Sequence, residues 1–114
     1  MLITFCVSAQ SKSQIKKQGI TSKIVWKYEY KTGKEIKVKE SEKKFDAKGN
    51  IIEERQFDEY GKLDSKTKYT FNENNDVVKE VYYQSSGKIT KTVKYKYKDG
   101  LKIEKEVYDC YRNS

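Results

Sequence analysis

The sequence predicts an all-β protein: an antiparallel up-and-down meander of about seven strands, forming a single curled sheet with one apolar face. Three observations support this prediction. An aromatic residue is repeatedly followed six places later by an aliphatic one, with Gly or Asn two residues before the aliphatic. Apolar and polar residues alternate from Lys23 onward, which is the pattern of half-buried strands. The chain contains no proline, so nothing removes a ladder donor from these strands.

The aromatic and aliphatic residues mark the hairpin turns. In Asp46-Ala47-Lys48-Gly49, an Asp opens and a Gly closes a type I turn, and the Gly is free to form a bulge. This turn places Phe45 directly opposite Ile51, and we expect Tyr97 to lie opposite Leu101 in the same way. The signature occurs four times, at Phe45/Gly49/Ile51, Phe57/Gly61/Leu63, Phe71/Asn75/Val77 and Tyr83/Gly87/Ile89, with the aromatics 12, 14 and 12 residues apart.

The alternation also predicts the strand limits and one irregularity. Inward positions are even-numbered in the first hairpin, as at Trp26 and Val38, but odd-numbered from Phe45 onward. A strand cannot change parity without an extra residue, so we expect a β-bulge between Val38 and Lys43. The predicted strands lie near 23–30, 34–45, 50–57, 62–71, 76–83, 88–97 and 101–108.

The N-terminal region indicates export. Residues 1–9 are mostly apolar and end in small residues, which is typical of the end of a secretory signal peptide. Residues 10–22 read as a flexible leader, and residues 23–114 as the β-hairpin domain. Signal removal would leave Cys110 as the only thiol, which excludes an internal disulfide framework. We therefore expect a secreted, periplasmic or cell-surface location, without a membrane span.

Composition narrows the function classes. Hydrophobic residues make up 35% of the 114 residues and charged residues 37%, with a formal net charge of +8. The positive charge comes from 23 Lys and only 2 Arg, interleaved with acids, which disfavours a nucleic-acid partner. The chain has no His, the commonest general base and metal ligand, so we expect no enzyme activity, cofactor or metal. Calcium binding at Asn72-Glu73-Asn74-Asn75-Asp76 is an alternative to simple turn chemistry.

The aromatic residues form the only site-like set. Five rings are inward-facing by the predicted register and would line one concave side of the sheet, where sugar rings or a peptide strand could stack. The alternative is that these rings are simply core. Seven strands span about 30 Å, too wide an apolar face to leave in water, so we expect curling or a homodimer through that face. The five candidate ligand-binding residues are Trp26, Tyr28, Tyr69, Tyr83 and Tyr95.

The segments Phe45-Asp46-Ala47-Lys48-Gly49-Asn50-Ile51 and Phe57-Asp58-Glu59-Tyr60-Gly61-Lys62-Leu63, with a looser third copy at 71–77, resemble bacterial YD repeats, the type found in Rhs and teneurin shells. MORN-like repeat proteins, including antitoxin-type variants, carry similar hairpins. The resemblance implies a β-hairpin repeat with cell-envelope or secreted use. Encapsulation of a cargo is not implied, because such shells need hundreds of residues.

These observations favour an exported, non-enzymatic binding or scaffolding protein of the cell envelope. Its partner would be a protein or glycan, bound through exposed strand edges or the aromatic face. The alternative is an antitoxin or immunity-type protein whose basic surface meets an acidic partner protein.

Overall fold

The computed structural model describes residues 11–110, which form one seven-stranded antiparallel sheet and one short helix. The strands follow each other in chain order across the sheet, which is open and has β1 and β7 at its edges. This confirms the predicted fold class, and the predicted strand ends agree to within one residue. The elements are α1 (Lys12–Gln18), β1 (Ser22–Lys31), β2 (Lys34–Phe45), β3 (Ile51–Phe57), β4 (Leu63–Phe71), β5 (Val77–Gln84), β6 (Ile89–Lys98) and β7 (Leu101–Asp109). The predicted signal peptide at residues 1–9 lies outside the described residues.

The four central turns share one hydrogen-bond pattern, as the sequence signature predicts. In the first of them, the Asp46 backbone N–H donates to Asn50 O at 2.9 Å, and the Gly49 N–H donates to Asp46 O at 3.0 Å. The Asp46 carboxylate accepts hydrogen bonds from the backbone N–H groups of Lys48 and Asn50, and these bonds stabilise the turn conformation. The predicted pairing of Phe45 with Ile51 is confirmed.

The turn between β6 and β7 is tighter than the sequence predicts. Lys98 pairs with Leu101, so only Asp99 and Gly100 form the loop. Both residues have positive φ, at 53° and 79°, which is the type I′ geometry of a two-residue hairpin. Tyr97 therefore lies opposite Lys102, and the predicted pairing of Tyr97 with Leu101 is wrong.

Every hairpin contains one residue that has no partner on the neighbouring strand. The predicted bulge in β2 is confirmed, because Val25 pairs with Ser41 and Trp26 with Lys39, leaving Glu40 as the extra residue. The sequence pattern did not reveal the bulges that follow the other five turns. The extra residues there are Ile52, Asp64, Val78, Thr90 and Ile103.

These bulges overturn the prediction that one face carries all the rings. Each extra residue reverses the side of the sheet on which the following positions lie. The aromatics of the four central turns, Phe45, Phe57, Phe71 and Tyr83, therefore lie alternately on the two faces. We call the side covered by α1 the helix face and the other side the open face. The helix face carries Phe45, Tyr69, Phe71, Tyr82, Val93, Tyr95 and Tyr97. The open face carries Trp26, Tyr28, Phe57, Leu63, Val81, Tyr83 and Ile89.

The leader contains a helix instead of the flexible segment that was expected. Ser11 caps α1 by a reciprocal capping box: its hydroxyl accepts from the Gln14 N–H, and its own N–H donates to Gln14 Oε1, each at 3.2 Å. Gly19 ends the helix in the left-handed conformation, at φ 67°. Because Ile15 is buried, the helix is held by packing as well as by its caps.

Burial of hydrophobic side chains among the described residues occurs at two places on the helix face: where α1 meets the sheet, and on β6. Within residues 11–110, the buried hydrophobic side chains are Ile15 and Phe45, each 7% exposed, and Val93, 3% exposed. Gly49 permits the approach of the helix, since a Cβ at this position would lie 2.6 Å from the Lys12 carbonyl oxygen. The protein is thus a single sheet layer with one covered corner, and most of both faces is open to contact.

Candidate functional site

The five predicted ligand-binding residues do not form one groove. Trp26, Tyr28 and Tyr83 lie on the open face, whereas Tyr69 and Tyr95 lie on the helix face. The bulges cause this separation, because they reverse parity between hairpins. The structure brings Trp26 and Tyr28 together as alternate residues of β1. It also places Tyr69 and Tyr95 beside the same glutamate, since Glu80 is the cross-strand partner of Tyr69 and accepts from the Tyr95 hydroxyl at 3.3 Å.

An aromatic row runs along the edge strand β1 on the open face. We use this name for Trp26, Tyr28 and Tyr30, whose exposed fractions are 41%, 48% and 73%. The Lys37 and Lys39 ammonium groups lie 4.3 and 5.7 Å from the centroid of the Trp26 ring, so the ring has two cationic neighbours on β2. Large exposed rings on the edge strand of the described sheet suit stacking on a sugar or pairing with an extended peptide.

A cleft of about 380 Å³ lies on the helix face, between α1 and the sheet. Its walls are largely apolar, with Ile15 from the helix and Phe45 and Phe71 from the sheet. Asn50, at 3% exposure, lines the cleft and donates from Nδ2 to Asp46 and Asn75, both at 3.1 Å. These two side-chain hydrogen bonds of Asn50 connect the β2–β3 turn to the β4–β5 turn.

Tyrosines and glutamates form a hydrogen-bonded cluster across the helix face. The Tyr69 hydroxyl donates to Glu54 Oε1 at 2.6 Å, and Lys43 lies 3.8 Å from the other Glu54 oxygen. Burial, the hydrogen bond to Glu54 and the Glu54 charge together raise the pKa of Tyr69 well above its ordinary value. The hydrogen bond to Glu80, with partial burial, raises the pKa of Tyr82 to about 12.

This cluster predicts a measurable titration. We expect Glu54→Gln to lower the pKa of Tyr69 toward the value near 10 of free tyrosine, because glutamine places no charge against the tyrosinate. The folded pKa of Tyr69 exceeds its unfolded value. The phenol therefore contributes full stability below about pH 10 and loses this contribution as the pH rises through the folded value. NMR of ¹³C-labelled tyrosine measures the shift. Tyr97 serves as internal control, because burial, Asp76 and Glu80 raise its pKa and Glu54 does not contribute. A Tyr69 titration that is unchanged in the variant would contradict the assignment.

The carboxylates and amides of the turns are occupied by backbone bonds. Asn72 Oδ1 accepts from the N–H groups of Asn74 and Asp76, at 2.9 and 3.0 Å, as a turn residue should. Among residues 11–110, no three His, Cys, Asp or Glu side chains are close enough to hold a metal ion. Cys110 is exposed and free. None of the helical segments described is long and apolar enough to cross a membrane.

The open face also concentrates lysine, which sequence reasoning missed. The paired positions of β4, β5 and β6 on this face contribute no carboxylate. The same strands place a single lysine, Lys91, on the helix face. Alternation alone could have shown this asymmetry only if the bulges had been located first. The lysines on the open face of these strands are Lys66, Lys68, Lys79, Lys94, Lys96 and Lys98.

A scan against protein-family models and a search of curated proteins found no match to this chain. The resemblance to YD and MORN repeats stays a prediction.

Proposed function

We propose that this chain is a non-enzymatic binding or scaffolding protein that is exported and acts at the bacterial cell envelope. The observation that carries this proposal is the single-layer sheet, which buries few hydrophobic side chains among residues 11–110 and exposes broad aromatic surfaces. A folded chain that leaves so much ring surface in water is built to contact something else. The YD-like turn signature supports the envelope setting.

The aromatic row is the contact surface that we propose for an envelope glycan or protein. Its three rings point to the same side of β1, and their spacing along the strand is about 7 Å. Since β1 is an edge strand, a partner can contact the rings and the strand edge at the same time. Neither contact requires the tyrosines of the helix face.

A sedimentation experiment tests this proposal. We expect the full chain to co-sediment with cell envelopes isolated from the organism that encodes it. The double substitution Trp26→Ala with Tyr28→Ala should reduce this retention at least about fivefold, because truncating two contact rings costs more than 1 kcal/mol. The matched control is Tyr60→Ala, which removes a ring that is 77% exposed on a turn outside the row. Equal retention of all three proteins, or no retention of the unsubstituted chain, would overturn the proposal.

A second candidate function is an antitoxin or immunity-type protein that binds an acidic partner protein. The six lysines on the open face of β4, β5 and β6 favour it, since they concentrate positive charge of this chain, whose net charge is +8, on one face of the sheet. Electrostatic complementarity of this kind steers association and selects partners by charge.

A further inference from the structure

Four lysines on the open face form a surface that folding alone does not explain. We name Lys66, Lys68, Lys79 and Lys94 the lysine patch. Lys79 and Lys94 are direct cross-strand partners on β5 and β6. Like charges directly opposite each other destabilise a sheet. This pair therefore adds repulsion to the free chain, and an acidic partner would relieve it.

Counter-ions within the chain do not neutralise the patch. Among the described residues, none of its four ammonium groups lies within 4 Å of a carboxylate oxygen, whereas neighbouring Lys96 pairs with Glu104 at 3.6 Å. Two nearby carboxylates face this region. Glu53 is the cross-strand partner of Lys68, but it is shared with Arg55 at 2.7 Å and Lys44 at 3.9 Å. Glu106 is the cross-strand partner of Lys94 on the outer strand, so two carboxylates face four lysines and Arg55. The patch is consequently cationic in the free protein.

The patch adjoins a shallow depression of about 450 Å³, in which Val81 and Ile89 lie among polar and charged side chains. Lys79 and Lys94 stand at one end of it, Val81 and Thr92 form its floor, and Tyr83 lies at the other end. A depression with apolar side chains and cations at one end fits a peptide segment that carries carboxylates next to an aliphatic or aromatic side chain. Neighbouring strands lie about 4.8 Å apart and alternate residues about 7 Å apart, which matches the carboxylate spacing of an extended peptide.

We propose that the lysine patch is the docking surface for an acidic protein segment, in extended conformation, with an apolar anchor seated beside Tyr83. The proposal rests on the proposed binding function and names the chemistry of one partner. A protein partner is favoured over nucleic acid because the surface lacks the arginine pairs that grip phosphates in bidentate fashion.

The experiment uses the full chain and a synthetic peptide rich in Glu with one central Phe. We expect binding that weakens with salt and that weakens at least about tenfold in Lys79→Glu, because a cation is replaced by a charge that repels the peptide. The matched control is Lys27→Glu on the helix face of β1, which lowers the net charge equally, from +8 to +6, and should change affinity less than about twofold. Replacing the central Phe of the peptide by Ala should also weaken binding.

Folding is controlled within the same series. Lys79→Glu places a carboxylate opposite Lys94, so we expect this variant to melt at a higher temperature than the unsubstituted chain while binding the peptide more weakly. Lys79→Gln should give an intermediate affinity. Three outcomes would overturn the proposal: no peptide binding, equal losses in Lys79→Glu and Lys27→Glu, or tighter binding of an oligothymidylate of similar charge. The sedimentation experiment measures envelope retention through Trp26 and Tyr28 independently of peptide binding. A failure of the lysine-patch proposal can therefore be told apart from a failure of the proposed envelope function.

Discussion

Replacing Gly49 by Ala will release helix α1 from the sheet and destabilise the protein by about 2–5 kcal/mol. Two effects add at this position. Gly49 has φ 85°, a conformation that costs a residue with a side chain about 1–2 kcal/mol. Its new methyl group would also lie 2.6 Å from the Lys12 carbonyl oxygen, and relieving such overpacking costs about 1–3 kcal/mol. The measurements are urea denaturation and the rate of tryptic cleavage at Lys16 and Lys17 within α1.

Gly87→Ala is the matched control for this substitution. Gly87 closes the equivalent turn between β5 and β6 with φ 92°, but its Cβ would meet nothing within 4 Å. We therefore expect only the backbone cost of about 1–2 kcal/mol and no faster cleavage of the helix. Equal destabilisation in the two variants would show that contact with Lys12 does not hold α1 in place.

Phe45→Ala should have the largest effect of any single truncation, about 3–5 kcal/mol. Phe45 is 7% exposed and is one of three buried hydrophobic side chains among the described residues, so it carries a large share of a small core. Phe45 and Ile15 line the same cleft, so truncating Phe45 also removes apolar surface against which helix α1 packs. Since typical domains have only about 5–15 kcal/mol of stability, we expect substantial unfolding at room temperature.

The control for Phe45→Ala is Tyr60→Ala, a truncation of a ring that is 77% exposed at a turn. A surface substitution of this kind should stay within about 0.5 kcal/mol. Urea midpoints with an unchanged denaturant slope measure both variants. If the two truncations cost the same, burial beneath α1 is not what stabilises the sheet.

Part of what sequence reasoning missed was visible in local motifs. Ser11 followed by Gln14 is a capping box, and Gly19 is a helix terminator, so the signals of α1 were present at both ends of the segment expected to be flexible. The tight turn at Asp99-Gly100 carries the dipeptide typical of two-residue hairpins. The lysine asymmetry, in contrast, had no local signature, because it depends on which side of the sheet each strand position faces.

The sequence by itself determined the strands, their order and the turns, because alternation and turn residues act over a few neighbouring positions. Phe45 and Ile51 pair as their six-residue spacing requires. Only the tertiary structure decided which face each ring and each lysine occupies. A bulge adds one residue at small energetic cost and leaves little trace in composition, yet it turns over every later side chain of its strand. Trp26 and Tyr69 are therefore separated by the sheet itself, and the lysine patch exists because the bulges bring Lys66, Lys79 and Lys94 to one side.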